Sequence, residues 1–583
     1  MKITLALLAL CAPLHAADLK VGQPVNLKFT AADGRTVDLA QMRGKVVLLY
    51  FCASWCPPCV REFPDMKSVY EKLHPHGFEI IGISLDQKRE QFNAYTKQKQ
   101  IPWPQHFQEE SWAGPLIKQF NVKAIPTQIL IDPKGRIAHL NTRKTLEAEV
   151  RKRLALPDPG RQWGQWRGPL GTGFAPNADP PTEWSETKNL SWKTPLPGLG
   201  HSSPVVWGDL IFLTTAVPQG EKLPVPGQPA GAHNNIDPFH KLRFTVLAIH
   251  RATGKIAWQK IVSTTQPHQS THESGTWASN SPVVDDEHVI ASFGSAGIYC
   301  LKAKTGELVW KKDLGDMKVK HGHGEGASPV LHGNTLVINW DHEGDSFIVA
   351  FDKRTGKPLW RKPRNEPTSW STPITVTRGS TTQLIVSATT AVRGYDLANG
   401  NVLWHIGGLP HNVVASPVHG NGIVYAGASY EKRTMHAINL AGAKGDLTGT
   451  DHIRWTRRAA TPYVPSPLLM PDDTLYFFHH YQGFLSKVEG RTGRDLGPFR
   501  LGGMKNFYAS PVAAKDRIYL TDRAGTTLVF SHAANPKPLA RNTLNDSFSA
   551  SAAIAGDAIF LRGEKALYCV EKNPRPNTQE PKE

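Results

Sequence analysis

Residues 45–63 read KVVLLYFCASWCPPCVREF, and this stretch decides how the first part of the chain folds. Lys45 to Phe51 is a continuous apolar run, the pattern of a parallel strand buried on both faces. It leads into Ala53-Ser54-Trp55-Cys56-Pro57-Pro58-Cys59, and Val60-Arg61-Glu62-Phe63 opens an amphipathic helix expected to run to about Lys72. With Cys56 as N-cap, Pro57 and Pro58 fill the first two helical positions, where proline's missing N–H does little harm. The first free backbone donor toward the Cys56 sulfur is then the Cys59 N–H, and Cys59 lies close enough to form a disulfide. A helix-terminal dipole and such a donor favour the thiolate, lowering such cysteines from about 8.5 to roughly 3.5–7.5. Cys56 is therefore the expected attacking thiol and Cys59 the thiol that resolves the mixed disulfide. The plain alternatives for this pair are a structural disulfide or half of a zinc site.

Outward from this stretch, Phe78 to Ser84 is a second apolar run and Gln87 to Gln98 reads as a helix. Ile125 to Ile131 is a third strand, Asp132-Pro133-Lys134-Gly135 a turn, Arg136 to Leu140 a further strand, and Lys144 to Leu154 a closing helix. Strands alternating with helices mean layered α/β structure.

Arg43-Gly44-Lys45 ahead of the strand, Trp55-Cys56-Pro57-Pro58-Cys59, and Ile125-Pro126-Thr127 downstream carry a resemblance. Over residues 18–157 the chain resembles the thioredoxin superfamily, specifically the exported TlpA/ResA-like thiol-disulfide oxidoreductases. The resemblance implies that Pro126 is a cis-proline beside the disulfide, completing a catalytic set of Cys56, Cys59 and Pro126. It implies that Trp55, Pro57, Pro58 and Ile125 position substrate. It also implies a disulfide-containing exported protein as client and a membrane-borne electron donor. Two positions depart from the pattern. Tyr50 stands where thioredoxin has a buried Asp six residues before the nucleophile, leaving Asp86 or Glu62 as the carboxylates to consider. Cys52 holds a place that is usually aromatic, and reads as a small core residue or a third redox partner. The Pro/Thr signature before a peroxidatic cysteine is absent, which argues against a peroxidase.

The chain has 583 residues, too many for one hydrophobic core. A hydrophobic share of 40% against 20% charged residues excludes a disordered chain and a polytopic membrane protein. Met1 and Lys2 followed by the apolar run Ile3 to Ala12 and Leu14-His15-Ala16 read as a signal peptide, residues 1–16. Leu10 ahead of Cys11 argues against a lipid anchor, so the expected location is the periplasm. The net charge is +17, with 21 Lys and Arg against 14 Asp and Glu in residues 18–157. It is spread without a basic cluster or aromatic interleaving, which argues against nucleic acid.

Beyond a Pro/Gly linker at 158–164 a repeat begins. Ser-Pro or Thr-Pro recurs with proline at 204, 282, 329, 373, 417, 467 and 511, and Ser549-Ala550-Ser551-Ala552 repeats the pattern degenerately. Thr253-Gly254 to Trp258, Thr305-Gly306 to Trp310, Thr355-Gly356 to Trp360 and Asn399-Gly400 to Trp404 end four of the units. Four strands in about 44 residues, eight times over, describe an eight-bladed β-propeller over 165–575, with a tail at 576–583. Leu190-Ser191-Trp192-Lys193 is expected to supply the last strand of the eighth unit and close the ring. The tryptophans read as blade-to-blade packing, and Cys300 and Cys569 as core residues in blades that are not neighbours. The expected fold class is therefore multidomain: an α/β thioredoxin fold followed by an all-β eight-bladed propeller.

The repeat resembles the pyrroloquinoline-quinone-type (PQQ) propellers, including the lipoprotein of the outer-membrane β-barrel assembly machine. Quinoprotein dehydrogenases of that type carry an adjacent cysteine pair, and no Cys-Cys occurs here, which argues against a quinone cofactor. Loops entering the innermost strands place Trp277, His323, Glu325, Trp370, Asn412, Tyr463, Tyr508 and Phe548 at one mouth of the channel, as binding residues or as lid packing. His321-x-His323-x-Glu325 has metal-ligand residue types but no third partner in the sequence, so no metal is expected. Asp341-His342-Glu343-Gly344-Asp345 reads as a hairpin turn rather than a calcium site. The leading expectation is an exported thiol-disulfide oxidoreductase whose non-catalytic propeller binds or presents a protein client. An envelope scaffold or binding propeller with a subsidiary redox domain is the alternative, and a quinoprotein dehydrogenase stands third.

Overall fold

The computed structural model describes residues 19–572 and 574, apart from 144, 157, 159, 160, 380 and 480–482. The expected signal peptide, Cys11 and the tail at 576–583 lie outside the described residues. The chain divides into two compact units, residues 1–158 and 159–583. No helix among the described residues is long and apolar enough to cross a membrane.

In the first unit the hairpin strands β1 (Lys28–Thr30) and β2 (Thr36–Asp38) precede the main sheet. That sheet has five strands, β3 (Val46–Cys52), β4 (Phe78–Ser84), β5 (Gln105–Phe107), β6 (Thr127–Ile131) and β7 (Ile137–Leu140), in the order β5-β4-β3-β6-β7. Strand β3 runs parallel to β4 and antiparallel to β6. It is central, so Val46 to Phe51 are all buried, which is why no polar residue interrupts the run. On one face Phe63, Met66, Tyr70 and Leu73 of helix α1 (Pro57–Leu73) pack at helical spacing against Val46, Leu48 and Tyr50. On the other, Leu116 and Ile117 of α3 (Pro115–Gln119) join Val47, Leu49 and Phe51. Helices α2 (Arg89–Lys99) and α4 (Leu146–Arg153) complete the layers. The interval between Cys59 and Pro126, long enough for an extra strand and helix, holds the short strand β5, and β6 begins at Thr127 rather than Ile125.

The second unit is a ring of eight sheets built on four antiparallel strands each; Gly445–Asp446 adds a fifth strand parallel to Val402–Gly407 in one, and Phe174–Ala175 a fifth parallel to Val512–Ala514 in another. Its closure follows the expected route: Leu190–Pro195 pairs antiparallel with Ala566–Glu571, setting Trp192 opposite Cys569. The structure gives both sequence periodicities a physical cause. At the hub, the backbone N–H of each Ser-Pro serine or threonine donates to the hydroxyl of the next blade. The chain runs Ser203 to Ser281, Ser328, Thr372, Ser416, Ser466, Ser510 and Ser551, each bond 2.8–3.0 Å. At the rim, five closing tryptophans donate the indole N–H to a carbonyl of the following blade. Trp192 reaches Arg251, Trp258 reaches Ala303, Trp310 reaches Lys353, Trp360 reaches Leu397 and Trp455 reaches Gly490. Gly400, at φ +73°, lies so close under Trp360 that a Cβ there would stand 2.5 Å from the ring. The turn glycine and the tryptophan therefore form one contact repeated around the ring. Trp404 departs from this: its indole donates to Gln383 of its own blade.

Cys300 and Cys569 are free and buried. Asp341, in the turn between Thr335–Trp340 and Phe347–Asp352, is fully buried in a bidentate pair with Arg364 at 2.6 and 3.0 Å. Arg167, ahead of the first blade, is buried among the carbonyls of Thr172, Pro467 and Pro511 without a carboxylate, and burial lowers its guanidinium to about 9.

Candidate functional site

In the first unit Cys56 is the N-cap of α1, with Pro57 and Pro58 at its first positions, and its sulfur accepts the Cys59 N–H at 3.3 Å. The two sulfurs are joined in a disulfide with 5.3 Å between the Cα atoms. Both cysteines are buried, at 3% and 2% exposure, while the neighbouring Trp55 is 50% exposed. The preceding loop is held by Asp86, which is buried. Its carboxylate accepts the Ser54 N–H at 3.0 Å, the Ser54 hydroxyl at 2.6 Å and the Ser84 hydroxyl at 2.8 Å. Asp86 thereby fixes the backbone two residues before Cys56.

The Ile125–Pro126 bond is cis. Thr127 pairs with Phe51 across β6 and β3, which sets Pro126 at the end of the sheet where β3 runs into the cysteine loop. Ile125 packs against the core cluster that contains both cysteines. Tyr50, at thioredoxin's aspartate position, lies buried with its hydroxyl 3.5 Å from the Cys59 carbonyl, and burial holds its phenol far above the ordinary value. Glu62, one turn beyond Cys59, is paired with Arg143 and accepts from Gln128. Burial, with a smaller contribution from Asp86, pushes the Cys52 thiol up to about 12. Such a thiol is a poor nucleophile, which favours the core reading of Cys52.

In the second unit a cavity of about 510 Å³ opens on the hub. His323, Glu325, Trp370, Asn412, Tyr463 and Tyr508 line it together, above the serine ring. Trp277 does not: it lines a neighbouring cavity of about 200 Å³, its indole bonded to the Gln269 carbonyl at 3.0 Å. Phe548 is a core residue at 1% exposure, because its ring packs on Tyr568 inside the last blade. Glu325 turns from the His pair to accept the Ser295 N–H at 2.7 Å and the Ser295 hydroxyl, and burial raises its carboxyl. Sequence reasoning missed Trp166, His201, His233, His272 and Tyr430, which share the cavity wall. His201 is held down to about 3 by burial and by Arg562 and Arg523 nearby.

Comparisons with known proteins divide along the same boundary. Residues 21–140 match the AhpC/TSA family, and residues 243–496 match the family described as outer membrane protein assembly factor BamB. The thiol-disulfide oxidoreductase ResA of Bacillus thuringiensis subsp. konkukian (strain 97-27) is 30% identical over 131 residues, covering 22% of this chain and 74% of that protein. The chain belongs to the ResA family of thiol-disulfide oxidoreductases. Tryparedoxin of Trypanosoma brucei brucei is 41% identical to this ResA-family unit over 98 residues, 16% of this chain and 67% of that protein. BamB from Moraxella catarrhalis, a solved structure, aligns with 62% of this chain and 98% of its own at 13% identity and a TM-score of 0.41. The chain is an oxidoreductase of the ResA family in its first unit, and its second unit carries the region that matches the BamB family model.

Proposed function

We propose that the protein is an exported, periplasmic thiol-disulfide oxidoreductase in which Cys56 and Cys59 are the working pair and the propeller holds a protein client. The observation that carries this reading is the Cys59 N–H directed at the Cys56 sulfur at the start of α1, a donor that stabilises a thiolate there. In the reducing direction the Cys56 thiolate attacks one sulfur of a client disulfide, forming a Cys56–client bond and releasing the other client sulfur as thiolate. The Cys59 thiolate then attacks the Cys56 sulfur, the client's second thiolate leaves, and two electrons have passed to the client. A membrane-borne dithiol donor returns the pair to the reduced state. Pro126 aligns the client backbone beside the pair, with Trp55, Pro57, Pro58 and Ile125 forming the surface it meets. At the hub, Trp370, Asn412, Tyr463 and Tyr508, with His323 and Glu325, offer aromatic faces and polar groups suited to a peptide segment. Trp277 serves a neighbouring cavity, and no step uses a quinone or a metal.

Cys59→Ser is expected to accumulate a mixed disulfide between Cys56 and exported proteins, resolved by reductant on a non-reducing gel, and Cys56→Ser to accumulate none. If Cys59→Ser traps no exported protein, the reading fails. The midpoint of the pair in glutathione buffers sets its direction: about −270 mV marks a reductant and about −120 mV a disulfide donor.

A second reading is favoured by the greater length of the BamB-family match. In it the propeller is an envelope scaffold and the redox unit subsidiary. Deleting residues 18–157 separates the two, since a scaffold keeps its main phenotype and an oxidoreductase loses it.

A further inference from the structure

Four histidines from three separate segments meet at the mouth of the hub cavity. His233 comes from the insertion between strands Leu210–Gln219 and Lys241–His250. His272 ends the short strand Thr271–His272, while His321 and His323 lie on the loop ahead of the third blade. Ring centres stand 4.6 Å apart for His233 and His323, 4.8 Å for His272 and His323, and 5.4 Å for His321 and His323. His233 lies 5.6 Å from His321 and 6.2 Å from His272. A tetrahedral ion with metal–nitrogen bonds of about 2.0–2.1 Å, each ring centre about 1.1 Å behind its nitrogen, sets ring centres about 5.2 Å apart. These five of the six spacings bracket that value.

We propose that His233, His272, His321 and His323 form a site for one divalent transition ion of the zinc class. The site clips the insertion across the cavity mouth. Imidazole nitrogen suits such ions, and a closed set of four protein ligands is the arrangement of a structural site.

The unused nitrogens support this. Ligating histidines as a rule donate their other ring N–H to a backbone carbonyl or carboxylate, which fixes the tautomer. His233 Nδ1 lies 2.9 Å from the Gly231 carbonyl, and His321 Nδ1 lies 3.2 Å from that of Ala230. His323 bonds the backbone of His233 and keeps a buried Nε2 without a partner. His272 is the exception, because its Nδ1 receives the Ser274 N–H at 3.1 Å. It enters the set by exchanging that bond for donation to the Ser274 hydroxyl at 2.7 Å.

The segments are also tied together independently of any ion. Asn235 and Ile236 pair antiparallel with His272 and Thr271. The Asn235 side-chain amide donates to the His321 carbonyl at 2.8 Å and to the Ser270 hydroxyl at 2.9 Å. His321 itself is held at φ 56°, a conformation non-glycine residues adopt at a cost. Among the described residues no three His, Cys, Asp or Glu side chains already stand as a metal-holding group. Binding therefore turns the rings toward a common point within loops already joined. The partners that the sequence did not supply for His321 and His323 are the ones the insertion and the preceding loop bring to them.

The test uses the untagged full chain with Cys56 and Cys59 oxidised, so that thiolates cannot compete, and zinc(II) and cobalt(II) as probes. One equivalent of zinc is expected to survive dialysis. Cobalt is expected to give the intense visible absorption of a tetrahedral ion. His323→Ala and His233→Ala are each expected to weaken binding by at least ~100-fold. His411→Ala, outside the cluster, is expected to change nothing. His233 is exposed on the insertion, so its variant keeps the fold and remains informative if His323→Ala does not fold. Unchanged zinc affinity in His233→Ala, or a weak octahedral cobalt spectrum from scattered surface histidines, overturns the proposal.

Discussion

In the redox unit the two sulfurs come from one turn of helix, entered from one short loop. Cys56 and Cys59 are three residues apart, and Asp86 holds Ser54 just ahead of them. In the propeller, one cavity wall draws on residues from Trp166 to Ser551. The first arrangement survives as long as a strand, a cap and a helix stay in register. The second exists only while eight sheets stay closed in a ring. A local motif can carry reactivity on a small domain, whereas a dispersed surface needs a large and stable frame. That contrast makes the two units separable by perturbation.

The largest effect is expected at the buried ion pair of the propeller. Asp341 and Arg364 are 0% and 1% exposed at their side chains, and Asp341 also accepts from Ser369 at 2.7 Å. Asp341→Ala leaves the guanidinium buried without its carboxylate, which costs about 3–5 kcal/mol. Denaturant unfolding is expected to show the propeller transition shifted by that amount, with the midpoint potential of Cys56–Cys59 unchanged. A potential that moves with the propeller's stability would mean that the units are not energetically separate.

The same contrast governs what could be read from the sequence. The Cys56-Pro57-Pro58-Cys59 cap was legible because a cap is local: the residues that shape it are the residues that use it. The ring was legible because Ser-Pro and Gly-to-Trp contacts repeat at each junction and so leave a period. The contents of the cavity were not. Trp277 and Phe548 occupy the repeat positions expected to face it, yet Trp277 lines a neighbouring cavity and Phe548 packs into the core. His233 sits in an insertion that no repeat position indexes, and it is placed by the pairing of Asn235, two residues on, with His272. Strand β5, three residues long, is too short to leave a pattern.

A second, smaller separation is expected in acid. Burial holds His436 down to about 4, with Arg458 adding to it, while its Nδ1 lies 2.9 Å from the Thr456 hydroxyl. His419 is held at about 4 and His201 at about 3, burial being the first cause in each. An unfolded histidine takes up its proton near about 6.5, so between that pH and the folded value the unfolded chain binds more protons. This contribution is complete above about pH 6.5 and is lost progressively as the pH falls from there to about 4. For His436 alone the loss is about 2–3 kcal/mol at pH 4.5. In the first unit, among the described residues, only His106 is a histidine lowered this way. The propeller's denaturant midpoint is expected to fall more steeply than the redox unit's from pH 7 to 4.5. His436→Gln is expected to flatten that slope; an unaltered slope would remove His436 from the account.

The smallest effect tests whether the hub hydroxyls hold the ring or merely line it. Ser416 Oγ accepts the Thr372 N–H at 3.0 Å and the Trp166 indole N–H at 3.2 Å. Ser203 belongs to the same ring by sequence and position, but its buried hydroxyl has no partner. The two serines therefore differ in hydrogen bonding while sharing the repeat position. Ser416 faces the cavity, where water can reach the donors that alanine would strand, so the net loss is that of ordinary hydrogen bonds, about 0.5–1.5 kcal/mol each. Ser416→Ala is expected to lower the propeller's unfolding free energy by about 1–2 kcal/mol, and Ser203→Ala to stay within about 0.5 kcal/mol of the parent. Equal losses in the two variants would mean that the serines act through packing beside proline. The hydroxyl chain would then be a consequence of the ring's closure rather than a cause of it.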